Sequence, residues 1–184
     1  MQNLLALSKK EIFPISLILV LALSRLIPHP PNITPIIAVA IMSSYLFKNL
    51  YFSLCALLIS MILSDLFIGF YGNMVFVYFS LILITFIFYK INSKINIKSL
   101  LVFCFFGSLI FYIISNFGVW ALSGMYEKSF NGLIYCYYLA IPFFKNTLIS
   151  TILFSYTAFF ANSFYNQRTV WGLKYFVILL ITKL

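Results

Sequence analysis

Acidic residues are almost absent from this sequence, which has three Asp and Glu and one His among 184 residues. Paired carboxylates for acid–base chemistry, a metal-ligand cluster or a nucleophile triad cannot be assembled from so small a set. A Walker motif is also lacking, so the chain cannot power transport by hydrolysing a nucleotide itself. We therefore expect a protein that is not an enzyme and that carries neither a metal nor a cofactor.

Cysteine is equally sparse and shows no pairing pattern. Cys55, Cys104 and Cys136 lie far apart in apolar sequence, and no Cys-x-x-Cys spacing is present. Neither a disulfide framework nor a zinc site follows from such an arrangement. We expect buried free thiols.

Apolar sequence is what the chain has in abundance: 64% of its residues are hydrophobic and 8% are charged. A soluble domain of this size could not cover so much apolar surface. A bilayer core of ~30 Å instead requires helices of roughly 17–25 residues, and the apolar runs lack the alternation of a membrane barrel. The sequence predicts an all-α integral membrane protein, a single domain over 1–184 with about six transmembrane helices in one bundle.

The boundaries of these helices follow from the apolar runs. The predicted spans are 12–27, 33–47, 51–70, 74–89, 100–122 and 143–164. A shorter apolar stretch, 133–141, precedes the last span, and Pro142 is expected to separate the two. The tail, 170–182, is too short to span and is broken by Lys174, so we expect an interfacial helix anchored by Trp171, Lys174 and Tyr175.

The basic residues give this bundle an orientation. Nine of the twelve Lys and Arg fall on one side of a six-span chain, and these nine are Lys9, Lys10, Lys48, Lys90, Lys94, Lys98, Arg168, Lys174 and Lys183. Arg25, Lys128 and Lys145 fall on the other side. The split predicts both termini in the cytoplasm and an inner-membrane location. Because the net charge of +9 is spread between apolar segments rather than clustered, nucleic-acid binding is not expected.

The first outer loop, 25–35, is rich in proline and carries the only histidine. Four prolines in eight residues make it stiff and non-helical. Asn32 or Thr34 is expected to cap the second span, with Pro35 in its first turn, and a binding role for Asn32 is the alternative. For Arg25 and His29 the sequence favours a structural role and a ligand-binding role equally.

Asp65 is the only acid inside a predicted span, at the outer end of the third. An ionisable side chain at such a depth is costly unless it is paired or functional. Arg25 would lie at a similar depth and is its natural partner. The alternatives are a structural ion pair between the first and third spans, or part of a binding site. Gly69 and Gly72 follow, and they predict a tight turn.

Polar and aromatic side chains also gather at the outer ends of the fifth and sixth spans. Asn116 requires a partner or a ligand, because an unpaired amide in a membrane is expensive. Trp120 is typical of an interfacial anchor, and Lys145 is expected to extend to the interface. Phe144 and Asn146 flank Lys145 in sequence.

Four separated motifs carry a resemblance that covers the chain up to about residue 165. They are Arg-Leu-Ile-Pro-His-Pro-Pro-Asn-Ile-Thr-Pro (25–35), Asp-Leu-Phe-Ile-Gly-Phe (65–70), Ser-Asn-Phe-Gly-Val-Trp (115–120) and Ile-Pro-Phe-Phe-Lys-Asn-Thr (141–147). The chain resembles an uncharacterised bacterial family of candidate transport proteins, which is itself similar to the substrate-binding S components of energy-coupling factor (ECF) transporters. This second step is a fold-level analogy.

The resemblance implies uptake of a vitamin-like small molecule through an outward-opening pocket. The candidate substrate-binding residues are Arg25, His29, Asn32, Asp65, Asn116, Trp120, Phe144, Lys145 and Asn146. Arg25 and Lys145 would hold anionic or polar groups, while Trp120 and Phe144 would pack against a flat ring. The implied partners, besides the lipid bilayer, are an ECF coupling subunit and its ATPases.

A departure from the S-component pattern and one alternative function stand beside this interpretation. Residues 15–24 of the first span lack the Ala-x-x-x-Ala face on which many S components dock, which argues for a solitary transporter. The other reading is a non-transport membrane scaffold or assembly subunit, whose outer motifs only stabilise the bundle.

Overall fold

The computed structural model describes residues 2–91 and 95–181, and the side chains of residues 12–91 and 95–166. These residues form helices and no strand. The helices are α1 (Gln2–Leu23), α2 (Ile36–Phe47), α3 (Leu50–Ile68), α4 (Met74–Lys90), α5 (Ser99–Leu122) and α6 (Phe130–Ile181). A 3₁₀ turn over Ser24–Leu26 follows α1. The predicted all-α architecture is therefore confirmed for the described residues.

Three stretches in the described residues are long and apolar enough to cross a membrane: Leu50–Ile68, Ser99–Leu122 and Phe130–Asn166. The stretches Ile12–Leu26, Ile36–Phe47 and Met74–Lys90 are apolar but shorter. The structure thus indicates a membrane protein with three candidate spans. The predicted ends of α2 to α5 agree with the observed ones to within three residues.

Helix α6 corrects two predictions. It continues through Pro142 for 52 residues, or about 78 Å, so Pro142 does not separate 133–141 from the last span. The cost of the missing proline N–H is smaller than the cost of leaving a whole turn of backbone unpaired in apolar surroundings. In addition, the Tyr112 hydroxyl donates to the Tyr137 carbonyl, at 2.5 Å, in the turn before Pro142.

The backbone of α6 also runs on through 170–181, so the tail is not a separate helix. The anchoring side chains predicted there, Trp171, Lys174 and Tyr175, lie outside the described side chains. Helix α1, for its part, begins ten residues before the predicted first span.

Helix α2 lies at the centre of the bundle. Every residue from Ile37 to Ser44 is buried, and the helix packs against α1, α3, α4, α5 and α6. Hydroxyl groups fasten it to α4: Ser44 donates to the Thr85 carbonyl (2.9 Å), and Thr85 donates to the Ala40 carbonyl (3.2 Å). Small hydroxyl side chains let helices approach closely and still satisfy their polar atoms.

The start of α2 differs from the prediction. Pro35 occupies the N-cap position, and no side chain caps the helix. Asn32 adopts a positive φ of 63°, and its carbonyl accepts from the Ser150 hydroxyl at 3.3 Å. Capping by Asn32 or Thr34 is therefore wrong, because the proline-rich backbone turns away before α2 begins.

One end of the bundle gathers the connections that follow α1, α3 and α5. The first of these connections, residues 25–35, is called loop one, and this end of the bundle is called the loop-one end. Asn146 of α6 donates to the Pro31 carbonyl at 3.0 Å, and Asn73 donates to the Ser115 carbonyl at 2.9 Å. Gly69, with φ +100°, ends α3 there, a conformation that favours glycine. The predicted tight turn at Gly69 therefore agrees with the structure.

Candidate functional site

A partly open cavity of about 560 Å³ lies at the loop-one end. Loop one, α4, α5, the α5–α6 loop and α6 all contribute to its wall. The lining residues are Asn32, Asn73, Val77, Phe111, Tyr112, Ser115, Asn116, Val119, Met125, Tyr126, Cys136, Leu139, Ala140, Phe143, Phe144 and Thr147. Its volume falls in the range of small-molecule sites, and its wall mixes aromatic and neutral polar groups, as such sites do.

The last turns of α5 supply two adjacent polar side chains. The Asn116 side-chain amide donates to the Tyr112 carbonyl at 2.8 Å, and because a carbonyl can only accept, this bond fixes which amide atom is the oxygen. Asn116 Oδ1 accepts no hydrogen bond from the described side chains. Ser115 is 8% exposed, and its hydroxyl also has no partner there.

Asn73, at the start of α4, joins the α4 part of the cavity wall to the α5 part. Its amide nitrogen donates to the Ser115 carbonyl, which joins α4 to α5. Its Oδ1 is buried and lacks a partner among the described residues. Gly118 makes this approach possible: a Cβ added there would lie 2.1 Å from Asn73 Oδ1 and 2.4 Å from Phe76 Cγ.

Aromatic rings form a second part of the wall. The rings of Tyr112 and Phe144 meet edge to face, with centroids 5.1 Å apart. The Tyr112 and Tyr137 rings lie 5.6 Å apart, and the Tyr137 hydroxyl donates to the Ile113 carbonyl at 2.7 Å. These contacts join α5 to α6 and hold the Tyr112 and Phe144 rings in place at the cavity.

The α5–α6 loop forms another part of the cavity wall. Met125 and Tyr126 line it, and they also line a neighbouring depression with Glu127. Trp120 holds this loop: its indole N–H donates to the Glu127 carbonyl at 2.9 Å, and the Lys128 ammonium donates to the Trp120 carbonyl. The same ammonium lies 5.5 Å from the Trp120 ring centroid, within cation–π range.

A buried charged cluster lies at the same end but outside the cavity wall. Arg25 pairs with Asp65 at 2.5 Å, and their side chains are 10% and 0% exposed. Arg25 also donates to the Ser64 hydroxyl at 2.7 Å, and the Tyr78 hydroxyl donates to Asp65 Oδ2 at 2.8 Å. In the neighbouring turn, burial raises the pKa of Tyr71, and the Asp65 charge adds to this.

Of the nine residues predicted for the site, three line the cavity: Asn32, Asn116 and Phe144. Trp120 binds the α5–α6 loop, and Asn146 binds loop one.

The charged candidates do not line the cavity. Arg25 and Asp65 pair with each other. His29 and Lys145 are exposed, and neither is among the lining residues. The structure therefore does not bring Arg25 and Lys145 to the cavity as ligands for an anionic group.

Sequence reasoning missed Asn73, Tyr112 and Tyr126, and it did not select Ser115 as a site residue. An asparagine at the first residue before an apolar run signals a helix start rather than a site. The position of Asn73 at the same outer end as Asn116 was the available signal.

A family model described as a family of unknown function (DUF6580) matches residues 6–173. No curated protein and no solved structure matches the chain.

Proposed function

This chain belongs to the DUF6580 family of unknown function, and we propose that it is a multi-pass membrane protein that binds a small molecule in the cavity at the loop-one end for uptake. One observation carries the proposal: this end of the bundle holds a cavity of about 560 Å³ whose wall consists of aromatic and neutral polar side chains. Helix ends that only stabilised a bundle would pack against each other, because an open cavity forfeits dispersion contacts.

We place six helices across the membrane, with both termini in the cytoplasm. The nine-to-three distribution of basic residues puts the loop-one end outside, so that the cavity opens away from the cytoplasm. Helix α2, at about 18 Å, is shorter than the bilayer core, but its buried position spares it contact with lipid. A single domain in a bacterial inner membrane fits this arrangement.

We include the resemblance to ECF S components in this proposal. The cavity at the loop-one end supports it, because the resemblance implies a pocket at that end of the helices. A coupling subunit would have to dock without an Ala-x-x-x-Ala face. The α1 surface carries large exposed side chains instead, such as Ile15 at 44% and Val20 at 63%. A transporter that works alone is therefore the form of the proposal that we favour.

Native mass spectrometry of the gently purified protein tests the proposal. We expect a retained small molecule at one copy per chain. A protein that is empty and bound to a stoichiometric protein partner would instead favour a scaffold or assembly subunit.

A matched pair of variants ties the retained molecule to the cavity. Phe144→Ala removes a lining ring, whereas Phe160→Ala removes a half-exposed ring from the same helix outside the cavity. We expect the molecule to be lost in the first variant and kept in the second. Equal retention in both would place the molecule elsewhere.

A further inference from the structure

The residues that the structure places in the cavity wall carry no formal charge. None of its sixteen lining residues is Asp, Glu, Lys, Arg or His. Of the charged groups at this end, Arg25 pairs with Asp65 and Lys128 donates to the Trp120 carbonyl. Glu127 and Lys145 are not among the lining residues. Partial burial raises the pKa of Tyr126, so its hydroxyl also stays neutral at pH 7. An ion entering this cavity would lose water without gaining a counter-charge, which is expensive.

Several hydrogen-bond donors in the wall are already engaged within the protein. The Thr147 hydroxyl donates to the Phe143 carbonyl at 2.9 Å, and the Tyr112 hydroxyl donates to the Tyr137 carbonyl. Asn73 is also unsuited to a ligand, because its nitrogen is engaged and its oxygen is sealed against Gly118.

Two neighbouring polar atoms on α5, Asn116 Oδ1 and the Ser115 hydroxyl, face the cavity wall without a hydrogen bond from the described residues. Asn116 Oδ1 is an acceptor held in a fixed orientation by the bond from its own amide nitrogen. The Ser115 hydroxyl can donate and accept, its side chain is more than nine-tenths buried, and it makes no hydrogen bond with the described residues. A ligand that leaves these atoms unpaired loses affinity, because each buried polar group must replace a bond to water.

The rings define the shape that suits the rest of the cavity. Tyr112 and Phe144 are braced edge to face, and Phe111, Phe143 and Tyr126 add further aromatic surface. Aromatic walls favour flat, unsaturated ligands through stacking and edge contacts.

We propose that the cavity takes an uncharged, planar heterocycle that offers an N–H or O–H donor to Asn116 Oδ1 and an acceptor to the Ser115 hydroxyl. The inference rests on the proposed function and narrows it to a substrate class. It replaces the expectation that Arg25 and Lys145 bind an anionic group.

The test captures a ligand with the full-length protein. Purified protein is incubated with a small-molecule extract of the cells that produce it, washed, and analysed by mass spectrometry. An uncharged aromatic heterocycle supports the inference. A captured anion or an aliphatic molecule overturns the inference but leaves the proposed function standing, and an empty protein overturns both.

Two probe pairs then isolate charge at constant ring structure: nicotinamide with nicotinate, and adenosine with adenosine monophosphate. Binding is followed by the shift in unfolding temperature. We expect the neutral member of a pair to give the larger shift, and a larger shift from the anionic members overturns the inference.

Variants of the two available groups test the hydrogen bonds directly. Ser115→Ala and Asn116→Leu should each weaken binding of the captured molecule about tenfold. The controls are Ser163→Ala and Asn162→Leu, which change the same residue types in α6 outside the cavity wall. They should leave the affinity for the captured molecule unchanged. Unchanged affinity in both cavity variants overturns the assignment of Ser115 and Asn116.

Discussion

The Arg25–Asp65 pair joins the end of α1 to the end of α3 through two charges that water hardly reaches. Removing two ions from water costs several kcal/mol each, and a buried pair offsets this only with good geometry and additional hydrogen bonds. Ser64 and Tyr78 provide such bonds, one to each partner. These two bonds, together with the pair's absence from the cavity wall, support a structural role.

We predict that breaking this pair from one side destabilises the protein. Asp65→Asn leaves the Arg25 charge without its counter-ion and should lower the free energy of unfolding by about 3–5 kcal/mol. Arg25→Met should have a similar effect. The double variant Arg25→Met, Asp65→Leu should recover most of the loss, because no unpaired charge is left.

Denaturant unfolding in detergent micelles measures these differences. Lys145→Met is the control, because it removes an exposed charge and should change the stability by less than about 0.5 kcal/mol. Losses that simply add in the double variant would show that the two charges do not depend on each other.

The sequence predicts this pair well and the cavity poorly, for a physical reason. Asp65 is the only acid in a predicted span and Arg25 lies near the same depth, so burial cost alone selects both. Asn116 is selected by the same argument. Asn73 and Tyr112 reach the cavity through the way α4 and α6 pack on α5, and no single segment contains that information.

At the scale of the elements, the closeness of α4 and α5 depends on Gly118. Its missing side chain leaves room for Asn73 and Phe76. Gly107, nearer the start of α5, likewise lets α5 approach α2, because an added Cβ there would lie 3.0 Å from Ile41 Cδ1. Small residues at helix contacts are the usual way in which membrane helices approach closely.

We predict that Gly118→Ala destabilises the protein and disturbs the cavity. Helix propensity alone would favour alanine by about 1 kcal/mol. The contacts of 2.1 and 2.4 Å force Asn73 and Phe76 to move, and such overpacking costs about 1–3 kcal/mol. The steric cost should therefore win, lowering the unfolding temperature and weakening retention of the bound molecule.

Gly72→Ala is the matched control, because an added Cβ there meets nothing within 4 Å. Thermal unfolding and ligand retention should be unchanged in it. A stabilised Gly118→Ala protein with full retention would mean that α4 and α5 separate without cost.

Element boundaries were predictable where an apolar run ends in a turn, as at Gly69 or after Phe47. They were not predictable in α6, where Pro142 and the polar residues near 166 resemble breaks. Proline removes one hydrogen bond locally, whereas the length of a helix depends on the packing and solvent along it, which a local signal does not contain.

At the scale of the whole molecule, the arrangement of α2 links the fold to the proposed cavity. Because α2 is short and packs against five other helices, loop one lies alongside α6 rather than at its first residue. Asn146, sixteen residues into α6, donates to the Pro31 carbonyl. The first turns of α6 therefore extend beyond loop one, and the cavity occupies the space between them, α5 and the start of α4.

The proposed orientation in the membrane gives the last prediction, that His29 faces the outside of the cell and Lys98 the cytoplasm. His29 is exposed in loop one, and Lys98 is exposed before α5. A single cysteine is introduced as His29→Cys or Lys98→Cys in a Cys55→Ser background, because Cys104 and Cys136 are buried. A membrane-impermeant maleimide should label His29→Cys in intact spheroplasts and Lys98→Cys only after lysis. Reversed labelling would mean that the cavity opens toward the cytoplasm, which would exclude capture of a ligand from outside the cell. Labelling of both sites in intact spheroplasts would mean that the chain does not cross the membrane an odd number of times between them.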